Sequence, residues 1–139
     1  MAKFVLKDPY IEINNVDVSG NCEEVEITLS KNEEESTNFG TGGGEEQMHG
    51  LKTDSMSVTL HQDFAVSEID DLLFPLYDQE TEFPVSVRAT AAPVSPSNPA
   101  YSATCKLFEY SPLSGAPGEL VKLQIDLKPQ RTGIARSTS

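Results

Sequence analysis

The chain has 139 residues and, with 22 acidic against 10 basic side chains, a net charge of −12. This length predicts one domain that can bury a core without disulfides or metals, and no apolar run approaches the ~20 residues of a membrane span. Lys and Arg are scattered singly, which argues against tight nucleic-acid binding, because that needs clustered cations on phosphates.

The start of the chain, Met1–Pro9, has one short apolar stretch and lacks the pattern of a signal peptide. We therefore expect the protein to be made in a cytoplasm, with no membrane partner. Strict alternation of apolar and polar residues then predicts strands with one buried face. It is clearest in Cys22–Ser30, Ser55–His61 and Val121–Leu127, and shorter runs predict further strands at Lys3–Leu6, Tyr10–Ser19, Pro84–Ala89 and Tyr101–Phe108.

Two details refine these predicted strands. The Asn14-Asn15 step inside the second short run favours a tight turn, because Asn tolerates the left-handed backbone region. Cys105 alternates with apolar neighbours, which predicts a buried small side chain rather than a ligand.

One segment, about residues 66–77, changes period and predicts a short helix. Its apolar residues recur at i, i+3, i+4 and i+7, the stripe of an amphipathic helix, and they are Ile69, Leu72, Leu73 and Leu76. Ser67 is the candidate N-cap, and Pro75 is expected to kink or end the helix. We expect Ile69, Leu72 and Leu73 to face the core and Leu76 to be half-exposed.

Three segments predict loops: residues 32–50, 93–99 and 111–118. The first has no periodicity, three consecutive glutamates and the triplet Gly42-Gly43-Gly44. A loop of roughly twenty residues is unusual in a compact domain and is usually functional or disordered. The single domain is therefore expected over residues 1–130, followed by an extended C-terminal arm, 131–139, with Ile134 as its apolar anchor.

The sequence offers no catalytic, cofactor or metal motif, so we expect a protein that is not an enzyme. The glycine triplet is not followed by the Lys of a phosphate-binding loop. Cys22 and Cys105 lack metal-ligand spacing, and His49 and His61 are too few for a zinc site.

The order of features from Thr37 onward resembles the tail tube (major tail) proteins of long-tailed, non-contractile bacteriophages. The similar elements are Thr37-x-Phe39-Gly40, an acidic stretch running into Gly50-Leu51-Lys52, the helix after Phe64, Asn98-Pro99-x-Tyr101, Phe108-Glu109-Tyr110-x-Pro112-x-x-Gly115-x-x-Gly118 and Thr132-Gly133-Ile134-x-Arg136. The family usually has an acidic residue soon after Phe-Gly, where this chain has Thr41 and glycines.

The resemblance implies a β-sandwich or barrel with one flanking helix, closing into hexameric rings that stack into a tube. It also implies a virion tail component, assembled in the host bacterial cytoplasm, with the tape measure and tail terminator proteins as partners. DNA would pass through the lumen without specific binding. The long loop would bridge to the next ring, with Thr37, Phe39, Gly40, Gly42, Gly43 and Gly44 as candidate contacts, and the acidic strand residues Glu24 and Glu26 are candidates for lining the lumen.

Two other classes of protein stay open. A head decoration or head–tail junction protein would share the broad fold, but the first would form trimers or monomers on a lattice and the second a ring at the junction. An immunoglobulin-like binding module would not self-associate and would expose an aromatic patch. Aromatic residues make up only 7% of the chain and Trp is absent, whereas Trp is favoured at binding hot spots.

Overall fold

The computed structural model describes residues 3–139, without the side chain of Thr41. The described residues form one α-helix and ten strands, so the predicted mostly-β fold with one flanking helix is confirmed. The helix is α1 (Ile69–Asp78), and the strands are β1 (Tyr10–Ile13), β2 (Val16–Asp17), β3 (Cys22–Thr28), β4 (Lys31–Glu35), β5 (Gln47–Lys52), β6 (Ser55–His61), β7 (Phe83–Arg88), β8 (Ala100–Leu107), β9 (Lys122–Pro129) and β10 (Ala135–Ser137).

The main sheet is antiparallel in the order β2-β1-β7-β8-β9-β6-β3, and β10 pairs with the first part of β8. Laid flat, its seven-strand path would separate the two edge strands by about 29 Å, at ~4.8 Å between neighbours. The chain joins β2 to β3 through Val18–Asn21 alone, which spans at most about 18 Å. The sheet must therefore curl, so that one face encloses a core.

Alternating side chains of the curled sheet fill that core, as their period of two predicted. Each side chain of this kind, when fully buried, contributes about 1.5–3 kcal/mol. The buried positions are Ile11, Ile13, Met56, Val58, Leu60, Phe83, Val85, Val87, Cys105, Leu107, Leu123, Ile125 and Leu127. Cys105 is a buried small side chain, as predicted, and desolvation raises the pKa of its thiol to about 12.

The N-terminal region confirms one prediction and corrects another. Asn14 and Asn15 both have positive φ, 52° and 65°, and join β1 to β2 as the tight turn that was predicted. The strand predicted over Lys3–Leu6 is wrong, because this segment pairs with no described strand. Its apolar residues, Phe4, Val5 and Leu6, are exposed instead.

The helix begins later and ends later than predicted. Ser67 is not its N-cap: it has a φ of 65°, and its N–H donates to Asp71 Oδ2 at 2.7 Å. Pro75 lies inside the helix and does not end it. Leu76, the i+7 residue of the apolar stripe, is therefore still helical and points the same way as Ile69. It was expected to be half-exposed, but it is buried with Ile69 and Leu73.

The loop predicted over residues 32–50 is also wrong, because both ends of this segment form strands. The predicted irregular loop is a hairpin of β4 and β5, whose tip carries a single 3-10 turn at Phe39–Thr41. Alternation of apolar and polar residues did not predict these strands, because none of their residues faces a core. The C-terminal segment is anchored by buried Ile134, as expected, but it adds β10 to the sheet rather than forming a free arm.

The helix stripe yields a stability prediction with a matched pair of variants. Leu73 is fully buried, whereas Leu72 is half-buried. Leu73→Ala should cost roughly 2–5 kcal/mol of unfolding free energy because it leaves a cavity. Leu72→Ala should cost less than about 2 kcal/mol, since water already reaches its side chain. Urea unfolding of the two variants measures the difference, and equal losses would contradict the packing described.

Candidate assembly surfaces

The outer face of the curled sheet is polar and carries the two predicted lumen candidates. Glu24 and Glu26 are both exposed on β3. Across the ladder, Glu24 lies beside Thr59 and Glu26 beside Ser57, and Ser57 in turn lies beside Asp126. The structure therefore brings acidic residues from β3 and β9 onto one face.

Glu23 belongs to the same face and was missed by the sequence analysis. A register shift between Cys22 and Glu24 interrupts the ladder with β6. The Glu23 carboxylate binds Lys122 Nζ at 3.0 Å and His61 Nε2 at 3.4 Å. The hydrogen bond from Lys122, helped by His61, lowers the pKa of Glu23. Glu23 thus offsets Lys122. Lys128, which lies near Glu26, and Lys106, opposite Lys128 in the ladder, are further cations on this face, so the negative charge of Glu24, Glu26 and Asp126 is partly offset.

β3 is an edge strand. It pairs with β6 on one side, and no described residue forms a ladder with its other side. Seven residues with half of their backbone groups unpaired are a template for a strand of another chain. Natural proteins protect such edges with short strands, covering loops or pairing between subunits.

The β4–β5 hairpin, which we call the arm, continues the β3–β6 hairpin outward. It contains large apolar residues that are mostly exposed: Phe39 completely, Met48 at 61% and Leu51 at 79%. A two-stranded hairpin without a hydrophobic face is marginal in water. The arm therefore has the composition of a segment that becomes stable against another surface.

The tip of the arm is nevertheless well organised, and it contains the predicted contact residues. The hydroxyl of Thr37 accepts from Glu46 N at 2.8 Å and closes the tip, while the side chain of Asn38 accepts from Gly40 N at 2.7 Å. Gly42 and Gly43 have φ of 73° and 95°, which explains glycine at both positions. Gly44 follows them, and the turn leaves the Phe39 side chain exposed.

Asp54 fixes the base of the arm. Its side chain is 1% exposed; one carboxylate oxygen accepts from Ser30 N at 2.9 Å, and the other accepts from Ile134 N at 2.9 Å and contacts Lys52 Nζ at 3.2 Å. Desolvation raises the pKa of this carboxyl, but the two backbone donors and Lys52 outweigh it, so the pKa lies below its ordinary value. One carboxylate thus joins Ser30, just before β4, and Lys52, at the end of β5, to the C-terminal segment.

Residues 3–139 contain no group of three or more His, Cys, Asp or Glu side chains placed to hold a metal ion. His49 lies on β5 of the arm and His61 on the outer face of the sheet. In the same part of the chain, no helix has the length and apolar character needed to cross a membrane.

Comparison with known proteins identifies the fold. No family model and no curated protein sequence matches the chain. A chain from the cryo-EM structure of an extracellular contractile injection system, the PVC sheath/tube terminator in its extended state, is similar in structure, with a TM-score of 0.72 at 9% identity over 99% of this chain and 98% of that one. A chain of the six-fold-symmetrised anti-feeding prophage (AFP) baseplate has a TM-score of 0.58 at 11% identity, over 98% and 97%.

The buried Asp54 carboxylate predicts a loss of stability in acid. Because its folded pKa is depressed, the stabilisation is complete above the unfolded value of about 3.9 and is lost as pH falls through the folded pKa. Asp54→Asn should cost about 1–3 kcal/mol at neutral pH, since charged acceptors are lost, and should flatten the acid limb of the stability curve. The exposed variant Asp126→Asn is the control. Unchanged acid sensitivity in Asp54→Asn would contradict the assignment.

Proposed function

We propose that this chain is a structural subunit of a phage-like tail tube, which self-assembles into stacked rings and has no enzymatic activity. The observation that carries the proposal is the arm, an organised hairpin with exposed Phe39, Met48 and Leu51 on a body whose own core is complete. The shared fold with chains of contractile injection system structures supports it. The sequence resemblance to tail tube proteins points to the same role.

The edge strand β3 supplies a means of ring closure. A strand from the neighbouring subunit that pairs with β3 would satisfy its free backbone groups and continue the sheet from one subunit to the next. The six-fold symmetry of the related baseplate structure supports a hexameric ring. In such a ring the outer faces of β3, β6 and β9 repeat around the axis.

The arm supplies a means of stacking. Strands of five and six residues give it a length of about 17–20 Å, so the arm can extend from the body toward a neighbouring ring. Docking would bury Phe39, and a fully buried Phe side chain contributes about 1.5–3 kcal/mol. Asp54 would then hold the angle at which the arm leaves the body.

The charge of the outer face suits a lumen. A ring that presents Glu24 and Glu26 from each subunit repels phosphates, so DNA passes without binding. The tape measure protein would occupy the same lumen before DNA, and a terminator would close the tube. Assembly would take place in the host cytoplasm, and the finished particle would carry the protein in its tail.

A second candidate is a subunit of the ring that ends a tube. The structural similarity to a chain of a sheath/tube terminator structure favours it. Negative-stain electron microscopy of the purified protein separates the two roles, because a tube subunit gives long stacked tubes and an end ring gives single rings. A protein that stays monomeric at all concentrations would contradict both.

Shortening the arm tests the stacking role. In the ladder Glu35 lies opposite Gln47, so replacing Ser36–Glu46 with Asn-Gly closes β4 onto β5 through a two-residue turn. The variant should unfold like the wild type, because the arm contributes no core, and should give rings without long tubes. Phe39→Ser should weaken stacking in the same direction. Full-length tubes from the shortened variant would show that the tip does not join the rings.

Charge reversal tests the lumen. Glu24→Lys with Glu26→Lys should leave assembly largely intact, since both side chains are exposed on the outer face. Tubes of this variant should bind DNA in a filter assay and release it as salt rises, because the new cations contact phosphates. Glu68→Lys with Glu109→Lys, two exposed acids outside β3 and the arm, is the matched control. DNA binding no stronger than that of the control would place β3 away from the lumen.

A further inference from the structure

A groove lies between the end of α1 and the end of β8. None of its lining residues belongs to β3 or to the arm. Its volume is about 520 Å³, and it is lined by Tyr77, Asp78, Glu80, Lys106, Leu107 and Phe108. Phe108 is 62% exposed and Tyr77 43%. Large aromatic side chains at the rim of a groove this size are typical of a binding surface rather than of bare solvent contact.

The groove also has a free strand edge. β7 pairs with β8 only as far as Phe83 opposite Cys105, whereas β9 continues along Lys106 and Leu107. On the side where β7 has ended, the described residues give Lys106 and Leu107 no ladder partner. Glu80, from the chain between α1 and β7, also lines the groove. An extended peptide in the groove could therefore add backbone hydrogen bonds to β8.

The charge of the groove selects the peptide. Asp78 and Glu80 are exposed acids at the rim. Lys106 is the one cation among the lining residues, and it lies near Glu82, whose pKa is lowered by its hydrogen bond from Arg131 and, more weakly, by Lys106. The groove thus favours an apolar segment with cations at its ends.

The chain contains such a segment, Lys3–Lys7. Phe4, Val5 and Leu6 are 64%, 70% and 50% exposed, between Lys3 and Lys7. In an extended conformation Phe4 and Leu6 lie on one side, where they match Tyr77 and Phe108, and Lys3, Val5 and Lys7 lie on the other. The lysine side chains are long enough to extend round the segment toward Asp78 and Glu80 at the rim. The sequence predicted a strand here, and in the isolated chain this segment pairs with no described strand.

We propose that Lys3–Lys7 of one subunit docks in this groove of a second copy and pairs with the end of β8. This contact rests on the proposed self-assembly, but it involves neither the β3 edge nor the arm. It would give each subunit a third connection to its neighbours. It also accounts for an exposed Phe-Val-Leu run in a soluble assembly part, since docking removes that run from water.

Reciprocal charge reversal in the full-length chain tests the contact. Lys3→Glu with Lys7→Glu, and separately Asp78→Lys with Glu80→Lys, each place like charges together. Each variant alone should need about tenfold more protein to assemble, which corresponds to ~1.4 kcal/mol. Mixed in equal amounts, the two variants should assemble close to wild-type concentrations, because each segment then meets a groove of opposite charge. Light scattering against concentration measures this.

The controls separate the possible outcomes. Glu68→Lys with Glu109→Lys, two exposed acids that do not line the groove, should shift assembly less than either variant and show no rescue on mixing. Phe4→Ser with Leu6→Ser should weaken assembly without charge. If both reversed variants assemble like the wild type, or if mixing fails to rescue them, as it would for a segment docked in its own chain, the contact is overturned. A wild-type protein that never assembles would instead overturn the proposed function.

Discussion

The short connection between β2 and β3 is the constraint on which the rest of the molecule depends. Four residues, Val18–Asn21, join strands that lie at opposite edges of the main sheet, so the sheet cannot be flat. Curling places every inward position of β1, β6, β7, β8 and β9 around one core. It equally places every outward position, including Glu24 and Glu26, on a convex polar surface.

The same curl explains why the candidate assembly features lie together. β3 is left as an edge because it pairs with β6 alone among the described strands. The β3–β6 hairpin extends beyond the core and becomes the arm, and at that boundary the backbone of Ser30 needs a new partner. Asp54 provides it, and because the same carboxylate accepts from Ile134 N, the angle of the arm is coupled to the docking of the C-terminal segment.

The acidic side chains of the sheet and the exposed apolar side chains lie on different surfaces of this protein, which suits self-assembly. The acidic side chains of β3 on the outer face of the sheet contribute repulsion that acts over a Debye length and is screened by salt. The exposed apolar groups, Phe39 on the arm and Phe108 at the groove, contribute attraction only on contact. In the proposed tube, copies of a chain with a net charge of −12 can therefore pack closely where they touch while the lumen stays negative.

The sequence by itself determined the elements that face the core. A strand or helix that is buried on one side repeats its apolar residues with a fixed period in the sequence. This period is present in Ser55–His61, in Val121–Leu127 and in the stripe through Ile69 and Leu73. The turn at Asn14-Asn15 is equally local, because it depends on a backbone region that few residues tolerate.

Tertiary structure decided the elements and contacts that no alternation of buried and exposed residues marks in the sequence. The arm strands contain Lys31–Glu35, which has no apolar residue, so only the ladder with β5 defines them. Lys3–Leu6 has a strand-like composition but pairs with no described strand of its own chain. Glu23 joins the acidic face only through a register shift, and Asp54 gains its role from two backbone donors far apart in sequence. Local pattern cannot encode these, because each depends on which distant backbone groups the curled sheet brings together.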